Sequence, residues 1–183
     1  MNVYIVGVGA VGNYLGEALR VGGAQISYAP RRLEDVVPVE ADLAIVAVKA
    51  YDTPGAIATL RRACGDAFGT TILTPQNGVG NEELLAAAFG ADRVVACALT
   101  VPLERSASGV VAPSNSGGIG LAPVGGTAHN WLVAAFERSA IPVQVGSDYR
   151  ALKWSKLALN VIANASCAIL DVLPDRLVRL DHM

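Results

Sequence analysis

The sequence contains few charged and few aromatic residues, which account for 16% and 5% of its 183 positions. Its basic residues are scattered and its formal net charge is -2, so nothing indicates a surface for nucleic acid. No apolar run reaches the length of a membrane span, and no cationic leader precedes the first apolar segment. We therefore expect a cytoplasmic protein that binds neither nucleic acid nor a membrane.

Cysteine and histidine are also scarce. The three cysteines, Cys64, Cys97 and Cys167, lie far apart and show no C-x-x-C spacing. An odd and widely spaced set of this kind favours structural thiols in a reducing compartment over disulfides, metal ligands or nucleophiles. The two histidines, His129 and His182, have no neighbour at metal-ligand spacing, so we assign no metal site.

The first dozen residues carry the clearest motif. An apolar run of strand length, Val3 to Val6, is followed at once by a glycine-rich turn and then by a helical pattern that ends at Gly22 and Gly23. This order of strand, turn and helix is the context in which G-x-G-x-x-G binds a dinucleotide. We predict cofactor contacts from all six residues of the turn, Gly7, Val8, Gly9, Ala10, Val11 and Gly12.

A physical reason explains why each of these three positions holds glycine. Gly7 would allow a tight turn out of the strand, and Gly9 has no Cβ that would hold a pyrophosphate away from the backbone. Gly12 would let the helix lie close to the strand. The amides of the first helical turn, at the positive end of the helix dipole, would then face the phosphates.

The residues after the second predicted strand favour NADP over NAD. That strand runs from Gln25 to Ala29 and is followed by Pro30, Arg31 and Arg32. NAD-binding domains place an acidic residue there to bind the ribose hydroxyls, whereas a guanidinium suits a 2′-phosphate. We therefore predict NADP(H) as the cofactor; the alternative is that the arginines only solvate a loop.

Strands and helices alternate through the first half of the chain. Further strands are predicted at Leu43 to Val48, Thr70 to Thr74 and Arg93 to Thr100. Lys49 closes the first of these, at the carboxyl end where doubly wound sheets bind ligands. Asn81 is placed to cap a helix with Glu82 and Glu83 in its first turn. The alternation predicts an α/β fold, Rossmann-like and doubly wound, with a mainly parallel sheet.

From Pro102 onward the pattern changes. Two short, glycine-flanked strands, Gly109 to Ala112 and Gly118 to Leu121, follow each other without a helix between them. This arrangement predicts an antiparallel pair at the edge of the sheet. A helix from Thr127 to about Arg138 and a last strand from Ile141 to Val145 complete this part of the chain.

The last predicted helix carries a polar stripe. It begins at Asp148, which would cap it, and runs to about Val172. Most of its circumference is apolar, so we expect it to be buried, yet Lys156, Asn160 and Asn164 recur at i, i+4 and i+8 along one face. Such groups are costly to bury alone, so either they meet a partner or ligand or the stripe faces solvent.

Together these features resemble the ketopantoate reductase family. The segments that carry the resemblance are the glycine turn, Val48-Lys49-Ala50, Pro75-Gln76-Asn77-Gly78 and the polar stripe. They occur in the family's order and cover nearly the whole chain. The resemblance implies reduction of a small 2-oxo acid by NADPH, in particular of 2-dehydropantoate to (R)-pantoate in pantothenate and coenzyme A biosynthesis. On the cofactor side, Lys49 is similar to a residue near the cofactor and Arg31 to one that holds the 2′-phosphate.

The resemblance also implies roles on the substrate side. Lys156 is similar to the family's catalytic lysine, and Asn160 and Asn164 to its substrate-binding asparagines. Asn77 resembles the residue that contacts both nicotinamide and substrate. Hydride addition to a ketone leaves negative charge on its oxygen, so an ammonium with a proton to give lowers the barrier.

Members of this family continue into a second, all-helical domain. Residues 1–147 would form the NADP-binding domain, and residues 148–183 would form the first helix of a truncated substrate domain. A helix with an exposed apolar face promotes association. Either a homodimer through this exposed helix or dependence on a further segment is therefore expected.

Three other functions remain open from the sequence. A reductase of the same fold would act on another 2-oxo acid or on an imine. A non-catalytic module would bind NADP(H) without turnover. A methyltransferase also places a glycine turn after its first strand, but it would normally have an acidic residue near Pro30 and Arg31, and it gives Lys156 no task.

Overall fold

The computed structural model describes residues 1–65, 69–105, 111–113, 117–126, 130–172 and 176. Its strands are β1 (Asn2–Val6), β2 (Gln25–Tyr28), β3 (Leu43–Val46), β4 (Thr71–Thr74), β5 (Val94–Leu99), β6 (Leu103–Arg105), β7 (Val111–Pro113), β8 (Ile119–Pro123) and β9 (Val143–Val145). Its α-helices are α1 (Ala10–Val21), α2 (Thr53–Cys64), α3 (Asn81–Phe89), α4 (Asn130–Arg138), α5 (Tyr149–Asn160) and α6 (Ser166–Leu170). The predicted features that fall outside the described residues are Gly109, Val110, the helix start at Thr127, His129 and His182.

Seven of the strands form one sheet, in the order β2-β1-β3-β4-β5-β8-β9. The first five pair in parallel, whereas β8 pairs antiparallel with β5 and parallel with β9. The predicted doubly wound, mainly parallel sheet with an antiparallel edge is therefore confirmed. Because β2 and β3 lie on opposite sides of β1, the carboxyl ends of β1 and β3 form the crevice where such sheets bind ligands.

Both faces of the sheet are covered by helices. Alternate residues of β1 point to opposite faces, as the pleat requires. Ile5 packs into a core with Leu15 of α1 and Phe136 of α4. Val6 packs into a second core with Leu60 of α2. This double burial explains why the central strands read as continuous apolar runs.

The pairing predicted for two short strands is wrong. Strand β8, predicted at Gly118 to Leu121, does not pair with β7, the described part of the segment predicted at Gly109 to Ala112. Strand β7 pairs instead with β6 in a separate two-stranded sheet, and β8 lies between β5 and β9. Ile119, Leu121 and Ala122 of β8 are buried. Strand β8 is therefore an internal strand, although it has the short, glycine-flanked sequence that is typical of an edge strand.

The start of the last helix agrees with the prediction. Oδ1 of Asp148 accepts hydrogen bonds from the backbone amides of Arg150 at 2.8 Å and Ala151 at 3.1 Å, which caps α5. Helix α5 packs over β5 and β8. A Cβ on Gly120 would lie 2.6 Å from Cδ1 of Leu152, so this glycine lets the helix approach β8 closely.

The second half of the last helix differs from the prediction. After α5 the chain forms a π-helical turn, Val161–Ala165, and then α6. The expected burial is wrong here, because Ile162 is 65% exposed and Ile169 82% exposed. An apolar face is buried only where another element covers it, and the described contacts of α6 are with the π turn. Among the helices in the described residues, none has the length and apolar character needed to cross a bilayer.

Candidate functional site

The glycine turn connects β1 to α1 and rests against the end of β3. Gly7 has a φ of +114°, and a Cβ there would lie 2.6 Å from the carbonyl carbon of Ala47. A Cβ on Gly12 would lie 2.0 Å from the carbonyl oxygen of Gly7. Both positions therefore need glycine for the fold itself, since any side chain would overlap the backbone.

Gly9 differs from these two glycines, because a Cβ there would meet nothing within 4 Å. It is the N-cap of α1, where no side chain accepts from the first amides and no acidic residue lies in the first turn. The amides of Ala10 and Val11 therefore stand at an uncapped, positive helix end, beside the exposed Val8. The protein supplies no steric reason for glycine at position 9, whereas a bound pyrophosphate would.

A groove of about 570 Å³ extends from this turn across the carboxyl ends of β1 and β3. Its volume lies in the range of about 300–1,000 Å³ that is typical of small-molecule sites. Residues from four segments line it, including Gly7, Val8, Arg31, Val48, Tyr51 and Gly55. The structure thus places Arg31, which follows β2, on the wall of the same groove as the glycine turn.

The loop between β4 and α3 is held in place by the buried side chain of Gln76. Its Nε2 donates to the carbonyl oxygen of Val48 at 3.0 Å and to Oγ1 of Thr53 at 2.9 Å. Its Oε1 accepts from Oγ1 of Thr74 at 3.0 Å, and Oγ1 of Thr53 donates to Oδ1 of Asn81 at 3.0 Å. This network ties the loop to the end of β3 and leaves each buried polar group with a partner.

Asn81 does not cap α3, so this prediction is wrong. Gly80 occupies the N-cap position with a φ of +95°, and Asn81 is the first helical residue. The Asn81 amide accepts from Thr53 and donates to the backbone oxygen of Asn77 at 3.4 Å. A capping side chain must lie on the residue before the helix, so the buried network uses Asn81 in a different way.

Asn77 and Asn160 meet at the surface of this loop. Nδ2 of Asn160 donates to Oδ1 of Asn77 at 3.3 Å, although 83 positions separate the two residues. Lys156 precedes Asn160 by one helical turn and therefore lies on the same face of α5. Lys156 is half-buried, and this burial lowers the pKa of its ammonium from the ordinary value of 10.5. The first part of the polar stripe thus approaches the loop that carries Asn77.

Two other residues singled out from the sequence lie apart from this contact. Lys49 is exposed at the start of a short 3-10 turn, Ala50–Asp52, next to the groove-lining Val48. Asn164 is exposed within the π turn. The structure brings Asn77 and Asn160 into contact, with Lys156 one helical turn before Asn160, and leaves Lys49 and Asn164 accessible to solvent.

Sequence reasoning missed a buried ion pair beneath the loop. Nζ of Lys153 lies 2.9 Å from Oε1 of Glu82, and the two side chains are 3% and 1% exposed. The same ammonium donates to the carbonyl oxygen of Gln76. The available signal for Lys153 was its spacing. It precedes Lys156 by three positions, so the polar stripe could have been extended back to it. Glu82 offered none, because the helix dipole already explains an acidic residue in a first turn.

Two of the cysteines, Cys64 and Cys97, are not reactive groups. Burial raises the pKa of the Cys97 thiol to about 12 and also raises the pKa of Cys64. A thiol of this kind stays protonated near neutral pH and is a poor nucleophile. Within the part of the chain that the structure describes, no three His, Cys, Asp or Glu side chains form a group that could hold a metal ion.

Comparison with known sequences points to one family. The model of the family described as Ketopantoate reductase PanE/ApbA matches residues 22–126, which is more than half of the chain. The chain is also similar to the 2-dehydropantoate 2-reductase of Halobacterium salinarum, with 34% identity over 139 residues. That match covers 74% of this chain and 45% of the relative, so the chain spans about half the length of the curated protein.

Comparison with solved structures agrees with the sequence match. The fold is similar to the crystal structure of 2-dehydropantoate 2-reductase from Geobacter metallireducens, with a TM-score of 0.80 and 27% identity. The alignment covers 93% of this chain and 66% of that one. A D-mandelate dehydrogenase solved with NADH shares the fold alone, with a TM-score of 0.80 at 19% identity and coverage of 94% of this chain and 64% of that one.

Proposed function

The chain belongs to the ketopantoate reductase family, and on this premise we propose that it reduces a 2-oxo acid with NADPH. The proposed substrate is 2-dehydropantoate and the product is (R)-pantoate, on the route to pantothenate. The hydrogen bond between Asn160 and Asn77 carries this proposal. It brings the helix of Lys156 to the edge of the sheet that carries the glycine turn, where ligands of doubly wound sheets bind.

The proposed cofactor fits the residues at that edge. The six residues from Gly7 to Gly12 would hold the pyrophosphate with the uncapped amides of α1, and the open space at Gly9 is what this binding needs. The groove beyond the turn would hold the adenosine half. Lys49 and Asn77 would lie on the nicotinamide side, where the carboxyl ends of β3 and β4 meet.

The choice of NADP over NAD depends on Arg31. This side chain lies on the wall of the groove that also contains Gly7, directly after β2. A guanidinium can bind a 2′-phosphate through two charge-assisted hydrogen bonds, which are stronger than bonds between neutral groups. A carboxylate at this place would repel that phosphate.

Lys156 is the proposed proton donor. When bound, the reduced nicotinamide supplies a hydride to the carbonyl carbon of the substrate. Nζ of Lys156 gives its proton to the carbonyl oxygen, on which negative charge develops as the C=O double bond becomes a single bond. The lowered pKa favours this transfer, because an ammonium that loses its proton more easily is a better acid near neutral pH.

Asn160, Asn164 and Asn77 are the proposed substrate-binding residues. Each amide offers both a donor and an acceptor, so it can bind a hydroxyl or a carboxylate without changing the charge of the site. Asn160 and Asn77 already contact each other, which fixes their relative position. Asn164 is exposed one turn further along and would meet a more distant part of the substrate.

The proposed function is tested by a two-step titration. Fluorescence first measures the binding of NADPH and of NADH to the chain, and oxidation of the bound cofactor is then followed after 2-dehydropantoate is added. We expect tighter binding of NADPH than of NADH and oxidation that depends on the oxo acid. Pyruvate, 2-oxoisovalerate and a cyclic imine serve as comparison substrates.

Each outcome of this titration separates the alternatives. Oxidation with another oxo acid or the imine, but not with 2-dehydropantoate, would retain the reaction and reject the substrate. Binding of NADPH without turnover of any of these compounds would instead support a non-catalytic module. An absence of binding to either nucleotide would reject both proposals.

We also propose that the chain self-associates through the exposed apolar residues of its last helix. Leu159, Val161, Ile162 and Ile169 lie along α5, the π turn and α6 and are 55–82% exposed, so they offer an apolar surface to a partner. Sedimentation velocity should show a dimer that Ile162→Glu disrupts. The matched control is Val21→Glu, which changes a residue that is 76% exposed on α1. An unchanged sedimentation coefficient in Ile162→Glu would contradict this interface.

A further inference from the structure

We propose that the buried pair of Lys153 and Glu82 positions α5 on the loop that carries Asn77, and so aligns Lys156 and Asn160 for the reaction. This inference rests on the proposed function. Nζ of Lys153 lies 2.9 Å from Oε1 of Glu82 and also donates to the carbonyl oxygen of Gln76.

The burial of this pair indicates a role beyond stability. Lys153 is 3% exposed and Glu82 1% exposed, so both charges have lost nearly all their water. Removing a carboxylate and an ammonium from water costs several kcal/mol for each ion, and apolar residues of similar size often serve stability equally well. A buried pair of this type can serve conformational specificity, because it selects the placement of α5 that brings the ammonium to 2.9 Å from the carboxylate.

The pair contacts both ends of the loop between β4 and α3. Gln76 lies one residue before Asn77, and Glu82 lies in the first turn of the helix that follows the loop. Between them Gly78 and Gly80 have φ values of +88° and +95°. Glycines bring backbone freedom to this segment, so its conformation depends on restraints such as the Gln76 network that ties it to β3. The ammonium of Lys153 supplies such a restraint from α5.

The position of Lys153 along α5 links this restraint to the candidate catalytic group. Lys156 follows three residues later, a rise of about 4.5 Å along a regular α-helix. Asn160 follows by a further turn, and the π turn begins only after it. The segment from Lys153 to Asn160 is therefore one regular helix, and fixing Lys153 fixes the height and rotation of the two other side chains.

Neighbouring contacts between α3 and α5 cannot replace the pair. Oε1 of Glu83 accepts from the Tyr149 hydroxyl at 3.0 Å and lies 3.7 Å from Nε of Arg150. The side chains of Arg150 and Glu83 are 67% and 48% exposed. Ion pairs in water contribute little and allow several geometries. These contacts nonetheless provide a matched control, since they join the same two helices.

The test compares three variants with the unmodified chain. Lys153→Met leaves the Glu82 carboxylate buried without its partner, which should lower the melting temperature. Lys153→Met combined with Glu82→Met removes both charges and should recover most of that loss. Arg150→Ala breaks only an exposed contact and should change neither stability nor activity measurably.

The measured quantities are the melting temperature, kcat, KM and the hydrogen exchange of a peptide that covers residues 75–81. We expect the double variant to keep a kcat reduced by about 10- to 100-fold, because a misplacement of about 1 Å can have such an effect. Its NADPH affinity should stay within about twofold, and exchange of the loop peptide should become faster. Recovery of kcat together with the melting temperature would overturn the proposal, because the pair would then serve stability alone.

Failure of the proposed function can be told apart from failure of this inference. If the unmodified chain turns over no oxo acid, the exchange measurement still decides whether the pair orders the loop. Faster exchange of residues 75–81 in the double variant, with unchanged exchange of a β1 peptide, supports positioning without any catalytic readout. Unchanged exchange of the loop peptide would contradict it.

Discussion

The two halves of the candidate site are built from contacts of very different sequence range. The glycine turn lies within one strand–turn–helix unit, and its tightest approach joins Gly7 to Gly12, five residues apart. The junction of the β4–α3 loop with α5 joins Gln76 to Lys153 and Asn77 to Asn160, across 77 and 83 positions. The first half is built mostly from neighbours in the sequence and rests against the end of β3, whereas the second joins segments that lie far apart in the sequence.

This difference separates binding from reaction. We expect the glycine turn and the groove beside it to hold the cofactor, because they supply the free amides, the open space and Arg31. The junction should determine turnover, since Lys156 reaches the site only through the docking of α5. Changes in the junction should therefore leave NADPH affinity nearly intact, and changes in the glycine turn should leave kcat nearly intact.

Lys156→Ala should have the largest effect. Loss of the proton donor is expected to lower kcat by about 100- to 10,000-fold, as is usual for a general acid. NADPH affinity should stay within about twofold, because the glycine turn is untouched. Cofactor oxidation and fluorescence titration measure the two quantities in one sample. Lys156→Arg keeps the positive charge but is a much weaker acid, so it should remain nearly inactive; loss of binding together with turnover would contradict the assigned role.

Two substitutions in the glycine turn should affect different quantities. Gly12→Ala should mainly lower stability, and Gly9→Ala should mainly weaken NADPH binding. A Cβ on Gly12 would overlap the Gly7 carbonyl, so Gly12→Ala should lower the free energy of unfolding by about 1–3 kcal/mol. A Cβ on Gly9 meets no protein atom, so Gly9→Ala should lower the free energy of unfolding by only about 0.5–1 kcal/mol, the cost of a poorer N-cap. We expect it to weaken NADPH binding by about tenfold, which corresponds to about 1.4 kcal/mol. Unchanged binding in Gly9→Ala would show that no phosphate lies over this turn.

Arg31→Ala should affect one cofactor and not the other. Removing charged hydrogen bonds to the 2′-phosphate should raise the Kd for NADPH by about 10- to 100-fold, while the Kd for NADH stays the same. Isothermal titration with both nucleotides measures this difference. Arg32→Ala is the matched control, because Arg32 does not line the groove. Equal weakening of NADPH and NADH would reject the 2′-phosphate assignment.

A smaller effect is expected in the pH dependence of turnover, which should follow the protonation of Lys156 at the junction. Lys156 donates a proton only while it is protonated, so kcat/KM should be constant below its pKa and fall as the pH rises through it. Because burial lowers this pKa, the midpoint of the fall should lie below 10.5. A pH series of cofactor oxidation with a saturating amount of NADPH measures it. A midpoint at or above 10.5 would contradict a desolvated donor.

Local sequence patterns predicted the secondary structure around the glycine turn well. The strand at Val3 to Val6, the helix that ends before Gly22 and the parallel sheet follow from apolar runs and glycines that act over a few residues. The cap at Asp148 was equally predictable, because a capping side chain acts on amides two and three residues away. In these cases sequence spacing is close to spatial distance.

The second half was only partly predictable. The spacing of Lys156 and Asn160 indicated a polar stripe, but nothing in it showed that the stripe would meet Asn77. Asn81 resembled a cap but joins the Thr53 network, whereas Glu82 lies in the first turn of α3 as predicted and also pairs with Lys153. In both cases the long-range contact depends on segments far away in the sequence, and only the folded chain shows it.

The partners of β8 could not be predicted for the same reason. Short strands flanked by glycine are common at edges, and the choice between β7 and β5 as partner depends on burial that the whole sheet creates. The π turn at Val161–Ala165 left no recognisable pattern in the sequence.

The central claim is that one ligand contacts both halves of the site, and hydrogen exchange with and without saturating NADPH tests it most directly. We predict slower exchange in a peptide that covers the glycine turn and in the peptides that cover Asn77 and α5, with little change in α4. Protection confined to the glycine turn, with the Asn77 loop and α5 exchanging as in the free chain, would contradict the claim and leave only a nucleotide-binding fold.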